Sequence, residues 1–195
     1  ICDSNGYNND MTVYLGKPRD NATPQISATH GTVLKLTTKM EGVGHKLFMD
    51  NSSSPDLFND IHERKINSCS TVRHNRKGMP KQFCPKVLKL KRGDIFSRVK
   101  DDLCVVCWKD KREVYLLTNM HNPPASGHFV GDDGFAPKPL VIENYNTHMG
   151  YVDKSDRVTN SYGISRRTWK WTTKLFFHLV DITVLNSYII QKSCV

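Results

Sequence analysis

Two aspartates three positions apart, Asp153 and Asp156, stand at the start of a long helical pattern near the C-terminal end of the sequence. A short apolar segment at 140–142 and a polar loop around His148 precede them, and we expect this loop to deliver both acids to one helix face. Carboxylates in a first helical turn are stabilised by the helix dipole, so capping is one interpretation of the pair. The other is ligation of a hard divalent cation such as Mg²⁺, because such ions take carboxylate oxygens together with water and phosphate.

A third acid, Asp50, closes an apolar segment at 45–51 that is too short for a helix and therefore predicts a buried strand. Ser54 and Pro55 follow as an N-cap and a first helical residue, and 69–72 predicts a second strand. This strand–helix–strand order indicates an α/β fold, a mixed or parallel sheet with flanking helices. Because sites in such sheets gather at the carboxyl ends of strands, Asp50 is a candidate site residue. A turn or capping role is the alternative.

The composition suits a soluble globular domain that binds a polyanion. The chain has 195 residues, of which 38% are hydrophobic and 24% charged, enough for one domain with a substantial core and an insertion. Lys and Arg number 28 against 19 Asp and Glu, a formal net charge of +9, which favours nucleic acid as a partner and an anionic membrane surface second. No apolar run approaches the roughly 20 residues of a membrane helix. The cysteines, without a visible signal peptide, indicate a reducing compartment.

One segment concentrates positive charge. No acid occurs between residues 64 and 92, and a one-signed run of this length indicates phosphate contacts at least as strongly as a solvated face. A second basic group consists of Arg166, Arg167 and Lys170. The basic residues of the first segment are Arg64, Lys65, Arg73, Arg76, Lys77, Lys81, Lys86, Lys89, Lys91 and Arg92.

The remaining segments predict further elements of an α/β domain. Residues 1–4 and 11–16 predict a β-hairpin, and 32–40 predicts an amphipathic helix. Three or four antiparallel strands are expected over 86–119. A C-terminal helix, amphipathic to fully buried, is expected over 166–191.

Two closely spaced pairs of side chains, one of cysteines and one of tryptophans, are interpreted as packing residues and not as a metal site or a binding site. Cys104 and Cys107 have the spacing of half a zinc site, but they lie in an apolar strand pattern with no second pair to complete it, so strand packing is favoured. Trp169 and Trp171 are two positions apart, and a helix cannot direct both to one face. We therefore expect one tryptophan in the core and the other at an interface.

Several blocks in order along the chain resemble the piggyBac transposases, in particular the piggyBac-derived proteins of animal genomes. Together they cover nearly the whole chain, and their order makes them far more specific than any single block. The matching blocks are L-F-M-D-N at 47–51, T-V-R-H-N-R-K-G-M-P at 71–80, W-K-D-K-R-E-V at 108–114, Y-N at 145–146 with M-G-Y-V-D-K-S-D at 149–156, S-R-R-T-W-K-W at 165–171 and N-S-Y-I at 186–189.

The resemblance implies a DD(E/D)-type core with an RNase H-like fold, in which three carboxylates hold two Mg²⁺ ions for DNA strand cleavage and transfer at transposon ends. Asp50 matches the family's second catalytic aspartate and Asp153 its third, both as metal ligands, and Asp156 is the nearby acid of the same motif. The first acid is expected on a strand before Ile1, so we expect the N-terminal strand of the core to be missing. Asp3 matches a non-catalytic Cys-Asp-Ser segment.

The same resemblance divides the chain and names its partners. It implies a first part of the RNase H-like core at 1–79, a β-rich insertion at 80–139, and the remainder of the core with C-terminal helices at 140–195. It implies DNA as the partner, both transposon ends and target DNA, and no membrane. It also implies a nuclear location, and it is compatible with assembly as a homodimer. The residues expected to contact DNA are Arg73, Arg76, Lys77, Arg166, Arg167 and Lys170.

Departures from the family pattern keep two functional hypotheses open. The two aromatics that follow the Asp-Asn of the family are replaced by serines after Asn51, and Arg157 places a cation beside Asp156. With one acid outside the chain, we expect these residues by themselves to be catalytically inert. The chain is then either part of an active Mg²⁺-dependent transposase or part of a domesticated or decayed DNA-binding protein without catalysis.

Overall fold

The chain forms two compact units, one made of Ile1–Leu15 with His148–Val195 and the other of Gly16–Thr147. The computed structural model describes residues 1–15, 26–51, 53–130, 136–164 and 167–194.

A six-stranded mixed sheet is the centre of the larger unit, with strand order β1-β2-β5-β4-β3-β6. β1 and β2 are parallel, and every other neighbouring pair is antiparallel. The predicted mixed sheet is therefore confirmed. The strands are β1 (Lys46–Met49), β2 (Asn67–Thr71), β3 (Asp94–Lys100), β4 (Leu103–Lys109), β5 (Glu113–Thr118) and β6 (Gly127–His128).

Helix α2 (Pro55–Glu63) makes the crossover that two parallel strands require. It begins as the sequence predicts. The Ser54 hydroxyl accepts a hydrogen bond from the Leu57 N–H at 3.3 Å, and Pro55 occupies the first turn, where its missing N–H costs nothing. Leu57 and Ile61 are fully buried and belong to the hydrophobic core of this unit. Helix α1 (Ala28–Thr37) continues into a 3₁₀ turn at Thr38–Met40, in agreement with the predicted helix.

The strand predictions are confirmed in number but not in every position. Of the three or four antiparallel strands expected over 86–119, three are present, β3, β4 and β5. The Val87 and Leu88 N–H groups bond back to the Cys84 carbonyl at 2.8 and 2.9 Å, which closes turns where an alternating strand was expected. Strand β1 is not buried along its length, because it lies at the edge of the sheet, with Met49 buried and Lys46 exposed.

Helix α3 (Leu140–Met149) stands where the sequence predicts an apolar segment followed by a polar loop. Ile142 and Tyr145 are buried at helical spacing, and the Pro139 carbonyl accepts a hydrogen bond from the Ile142 N–H at 2.9 Å in the first turn. The polar residues between the buried positions occupy the other faces of the helix. A helix with polar faces reads as a loop in the linear sequence, which explains the wrong prediction.

The smaller unit contains helices α4 (Tyr151–Ser161) and α5 (Trp171–Ser193). Within α5 only Leu185 is buried, and Trp169 and Trp171 are 91% and 61% exposed. The expected C-terminal helix is confirmed and is amphipathic, since α5 packs on α4 through one face and exposes the other. The fully buried alternative and the expectation of one core tryptophan are wrong. Among the described helices none combines the length and the apolar character of a membrane span.

Within residues 1–15, the hairpin expected from 1–4 and 11–16 is replaced by an antiparallel bridge between Cys2 and Asn8, and Gly16 lies outside the described residues. The Asp3 carboxylate is the physical reason, because its Oδ1 accepts hydrogen bonds from the Asn5 and Tyr7 N–H groups at 2.8 and 2.9 Å. These bonds close a tight turn, so that residues 7–9 and not 11–15 lie beside the first residues, as the hydrogen bond from the Asn9 N–H to the Ile1 carbonyl at 3.0 Å shows.

The packing of α2 predicts a large stability loss in Ile61→Ala. Ile61 is fully buried, so the substitution removes apolar contacts and leaves a cavity, and we expect the free energy of unfolding to fall by about 2–5 kcal/mol. Val87→Ala is the control, because Val87 is 68% exposed and should change stability by less than about 0.5 kcal/mol. Urea denaturation followed by circular dichroism measures both, and equal effects would contradict the core described here.

Candidate functional site

Asp50 follows β1 directly, at the edge of the sheet where both parallel strands end. The register pairs Met49 with Ser70, so Asp50 stands beside Thr71, whose hydroxyl donates to Asp50 Oδ1 at 2.8 Å. Asp50 is exposed, and its Oδ2 has no hydrogen-bond partner among the described residues. One carboxylate oxygen is thus anchored while the other is available to a ligand.

The turn that carries Asp50 is held from several directions. Asn51 adopts a left-handed conformation with φ of 50°, which is uncommon for residues other than glycine. Its N–H donates to Thr71 Oγ1 at 2.9 Å, and its carbonyl accepts from Arg76 Nη2 at 3.1 Å. The buried Ser53 hydroxyl donates to the Thr71 carbonyl at 2.7 Å. These bonds over-determine a backbone conformation that would otherwise be unfavourable.

Tyr145 of α3 supports the end of β1 from the buried side. It is 5% exposed, and its hydroxyl donates to the Met49 carbonyl at 3.1 Å and lies 3.5 Å from Thr71 Oγ1. Burial raises the pKa of Tyr145, against the lowering effect of Thr71 and together with the negative charge of Asp50. The hydroxyl therefore remains a proton donor at neutral pH. The sequence gives no signal for this contact, because it joins residues almost a hundred positions apart on elements that had to be folded first.

Three predicted DNA-binding residues, Arg73, Arg76 and Lys77, lie on an exposed turn directly after β2. The Arg76 N–H donates to the Arg73 carbonyl at 3.0 Å, and Gly78 follows with φ of 87°. Because Arg76 also binds the Asn51 carbonyl, the basic turn lies against the turn of Asp50. The structure thus brings these three cations together with one predicted catalytic acid.

The second basic group precedes α5. Arg167 and Lys170 are exposed, and Arg166 lies outside the described residues. Lys170 is the N-cap of α5, which has neither a side-chain cap nor an acid in its first turn. A lysine beside the positive end of the helix dipole is not stabilised by it, so these cations do not strengthen the start of α5. An anion bound beside them would stabilise this helix end.

Asp153 and Asp156 lie on one face of α4, in the smaller unit. Asp153 is in the first turn, after an N-cap, Gly150, that offers no side chain, and Asp156 is one turn further on. Both are exposed, and neither carboxylate has a hydrogen-bond or ion-pair partner within the described part of the chain. Among the described residues, neither aspartate therefore caps α4 by a direct hydrogen bond. Of the capping interpretation, only a favourable interaction with the helix dipole is left.

The N-terminal turn of the smaller unit packs against α4 and α5. The Asn8 side chain donates to Ser155 Oγ at 2.7 Å, and Cys2 Sγ lies 3.6 Å from the Tyr151 carbonyl oxygen. Asn186 of α5 binds the Asn8 backbone twice, accepting from its N–H at 2.9 Å and donating to its carbonyl at 3.0 Å. A side-chain amide thus substitutes for a strand partner and attaches the turn to the helix.

This packing brings Asp3 to the start of α4. Its neighbour Ser4 has a carbonyl oxygen 3.5 Å from Lys154 Nζ, and Lys154 is the residue next to Asp153. Asp3 Oδ1 is fixed by two backbone N–H groups, and Oδ2 has no partner among the described residues. The smaller unit therefore carries a third carboxylate with an available oxygen, on a turn that packs against α4.

Cys104 and Cys107 do not form half of a zinc site. Both belong to β4, where residues three positions apart point to opposite faces of the sheet, so the predicted strand packing is confirmed. Burial raises the pKa of Cys104 to about 11 and that of Cys107 to about 12. Over the described ranges, no group of three His, Cys, Asp or Glu side chains is arranged to hold a metal ion.

The chain is similar to transposases and to transposon-derived proteins over nearly its whole length. The sequence profile of the family described as Transposase IS4 matches residues 1–188. PiggyBac transposable element-derived protein 5 of Homo sapiens is 25% identical over 202 residues, which cover 98% of this chain and 38% of that protein. PiggyBac transposable element-derived protein 2 of Homo sapiens is 22% identical over 175 residues, 83% of this chain and 30% of that protein.

A solved structure is also similar. The cryo-EM structure of a piggyBac transposase synaptic complex with hairpin DNA has a TM-score of 0.81 and 27% sequence identity, covering 98% of this chain and 40% of that one. The chain thus spans less than half of the length of each of these three proteins.

The raised thiol pKa values predict slow alkylation of the β4 cysteines. The thiolate is the reacting species, so at pH 8 Cys104 and Cys107 should react with iodoacetamide at least about 100-fold more slowly than the exposed Cys194. Their rates should rise about tenfold from pH 8 to pH 9, because both pH values lie below their pKa. Mass spectrometry of digested samples measures the time course, with urea-unfolded protein as the control. Equal rates in the folded protein would contradict the burial.

Proposed function

Because this chain belongs to the Transposase IS4 family, in the piggyBac branch, we propose that it is part of the catalytic domain of a Mg²⁺-dependent transposase that cleaves and transfers DNA strands at transposon ends. The observation that carries the proposal is an exposed carboxylate, Asp50, anchored at the carboxyl end of a parallel strand beside a turn of three cations. Transposases of the DDE type use divalent metal ions.

We assign Asp50 and Asp153 as metal ligands and Asp156 as the acid that assists them. The donor set suits a hard cation, since each residue is an exposed carboxylate with at least one oxygen without a protein partner among the described residues. When bound, divalent ions in such sites activate the attacking oxygen and stabilise the leaving oxygen. The chain's own contribution is to fix Asp50 through Thr71 and to hold Asp153 at a helix start.

An RNase H-like core is the finer form of this proposal. It is supported by the parallel pair β1 and β2 with its crossover helix α2, at the end of the sheet where β1 has no further neighbour among the described strands. The proposed division keeps core residues at 1–79 and 140–195 and assigns 80–139 to the β-rich insertion, whose strand β5 pairs with β2 and continues the same sheet.

Asp3 is a candidate for the first acid of the triad. The resemblance matches Asp3 to a non-catalytic segment, and the expectation that this acid precedes Ile1 stays a prediction. The Asp3 carboxylate is the alternative because its turn packs against α4, the helix that carries Asp153. Its backbone hydrogen bonds orient one oxygen and leave the other for a ligand. With Asp3 included, the chain would carry all three acids.

DNA is the proposed partner, in a nuclear protein and with a homodimer as the proposed assembly. The contact residues would be those of the basic turn after β2, which lie beside Asp50 where a scissile phosphate would be held, and those before α5. A non-catalytic DNA-binding protein is the second candidate, favoured by Arg157, whose position next to Asp156 opposes cation binding.

Loss of the proposed metal ligand predicts loss of cleavage. In the full-length protein, Asp153→Asn should lower Mg²⁺-dependent nicking of transposon-end DNA by at least about 100-fold, because the neutral amide is a poorer ligand than the carboxylate. Asp3→Asn should have a similar effect if Asp3 completes the triad and little effect if the first acid lies elsewhere. Asp181→Asn, in α5, is a carboxylate control. Cleavage by Asp153→Asn at the wild-type rate would overturn the catalytic assignment.

The basic turn predicts a change in the salt dependence of DNA binding. Replacing Arg73, Arg76 and Lys77 by Ala should reduce the slope of log affinity against log salt by about 2–3, since each lost phosphate contact removes about 0.9. Fluorescence anisotropy with duplex DNA measures the slope. A control with the same loss of charge replaces Lys35, Lys100 and Lys111, which are exposed elsewhere in this unit. Equal slopes for the two triple variants would show that only net charge matters.

A further inference from the structure

The end of β1 is surrounded by polar side chains from two other elements of the larger unit, Thr71 of β2 and Tyr145 of α3. We propose that these two are positioning residues, which set the direction of the Asp50 carboxylate so that its Oδ2 faces an incoming cation. The proposal rests on the proposed function, because it assigns to Asp50 the role of a metal ligand.

The hydrogen-bond directions around Thr71 leave its proton only one strong acceptor. Its Oγ1 accepts from the Asn51 N–H at 2.9 Å, a bond whose donor is fixed by the backbone. The Tyr145 hydroxyl, at 3.5 Å, uses its own proton on the Met49 carbonyl at 3.1 Å. The Thr71 proton therefore goes to Asp50 Oδ1, 2.8 Å away. This assignment ties one carboxylate oxygen to the sheet and leaves the lone pairs of the other directed to solvent.

The backbone on both sides of Asp50 is held by the same group. Tyr145 fixes the carbonyl of the residue before it, Met49, and Thr71 fixes the N–H of the residue after it, Asn51. Thr71 is itself held through its carbonyl by the buried Ser53 hydroxyl at 2.7 Å. An exposed carboxylate that rotates freely about χ1 would lose rotamer entropy on binding a cation. The hydrogen bonds described above already restrict Asp50 in the absence of the cation, so less entropy is lost on binding.

The competing explanation is that Thr71 and Tyr145 only stabilise the end of β1. Measured metal affinity distinguishes this structural role from the positioning role. Outer-shell partners of a ligating carboxylate typically change metal affinity about 10–100-fold when they are removed, whereas a purely structural bond changes stability alone. Thr118 provides the matched control. It is a buried threonine at the end of β5 in the same sheet, and its hydroxyl has its own hydrogen-bond partner, His121 Nδ1, at 2.8 Å.

The experiment titrates the full-length protein with Mn²⁺, read by electron paramagnetic resonance of the free ion without DNA. Thr71→Val, which keeps the shape and removes the hydroxyl, should weaken binding at the Asp50 site about 10–100-fold. Thr71→Ser, which keeps the hydroxyl, should stay within about threefold of wild type. Tyr145→Phe should weaken binding about tenfold, and Thr118→Val should leave it unchanged. Hydrogen exchange of the Asn51 amide should become faster in Thr71→Val and stay slow in Thr71→Ser.

Asp50→Asn separates the failure of this proposal from that of the function on which it rests. If Asp50→Asn loses a Mn²⁺ site while Thr71→Val and Tyr145→Phe bind as wild type does, the positioning role is overturned and the metal-ligand role of Asp50 stands. If Asp50→Asn binds as wild type does, the assignment of Asp50 fails and the positioning role fails with it. Should Thr71→Val not fold, Tyr145→Phe carries the test, since only a hydroxyl is removed and its ring stays in the core.

Discussion

Parallel pairing of β1 with β2 is the constraint on which the candidate site depends. In a parallel pair the carboxyl ends of both strands meet at one edge, so the residue after Met49 necessarily lies beside the last residue of β2. A shift of one residue in this register would turn Thr71 to the other face of the sheet and leave Asp50 without its anchor. The crossover helix α2 secures the register through its buried apolar face, which links the core to the position of one carboxylate.

Local sequence signals were sufficient to predict the elements whose ends are marked by capping residues or by a change from apolar to polar residues. Ser54 with Pro55 marks a helix start by chemistry that needs no tertiary contact, and the apolar segment before Asp50 is too short for a helix and therefore favours a strand. Asp153 at the start of α4 was also predictable, because Gly150 precedes it and a long helical pattern follows. Helix α3 was missed because its buried positions are few and polar residues separate them.

The supports of the site could not be predicted, for a different physical reason. Tyr145 and Thr71 meet only because a helix and a strand distant in sequence are packed at one sheet edge, and a hydroxyl carries no periodic signal. The same holds for Asn186, whose amide binds the Asn8 backbone, and for Asp3, whose carboxylate closes the turn where a hairpin was expected. In each case a single polar side chain takes over backbone hydrogen bonds that regular structure would otherwise supply.

The anchoring of Asp50 through one hydroxyl at an exposed sheet edge also has a consequence for the order in which a copy of such a domain would lose its properties by mutation. Losing the Thr71 hydroxyl removes hydrogen bonds at this edge but leaves the apolar contacts of α2 and the sheet in place. Under the proposed function, a substitution that removes this anchor would weaken metal binding while the apolar core stays intact, whereas a substitution in the core would unfold the domain. Under the same proposal, a copy no longer selected for transposition would lose the metal site first and would remain a folded, positively charged domain for longer.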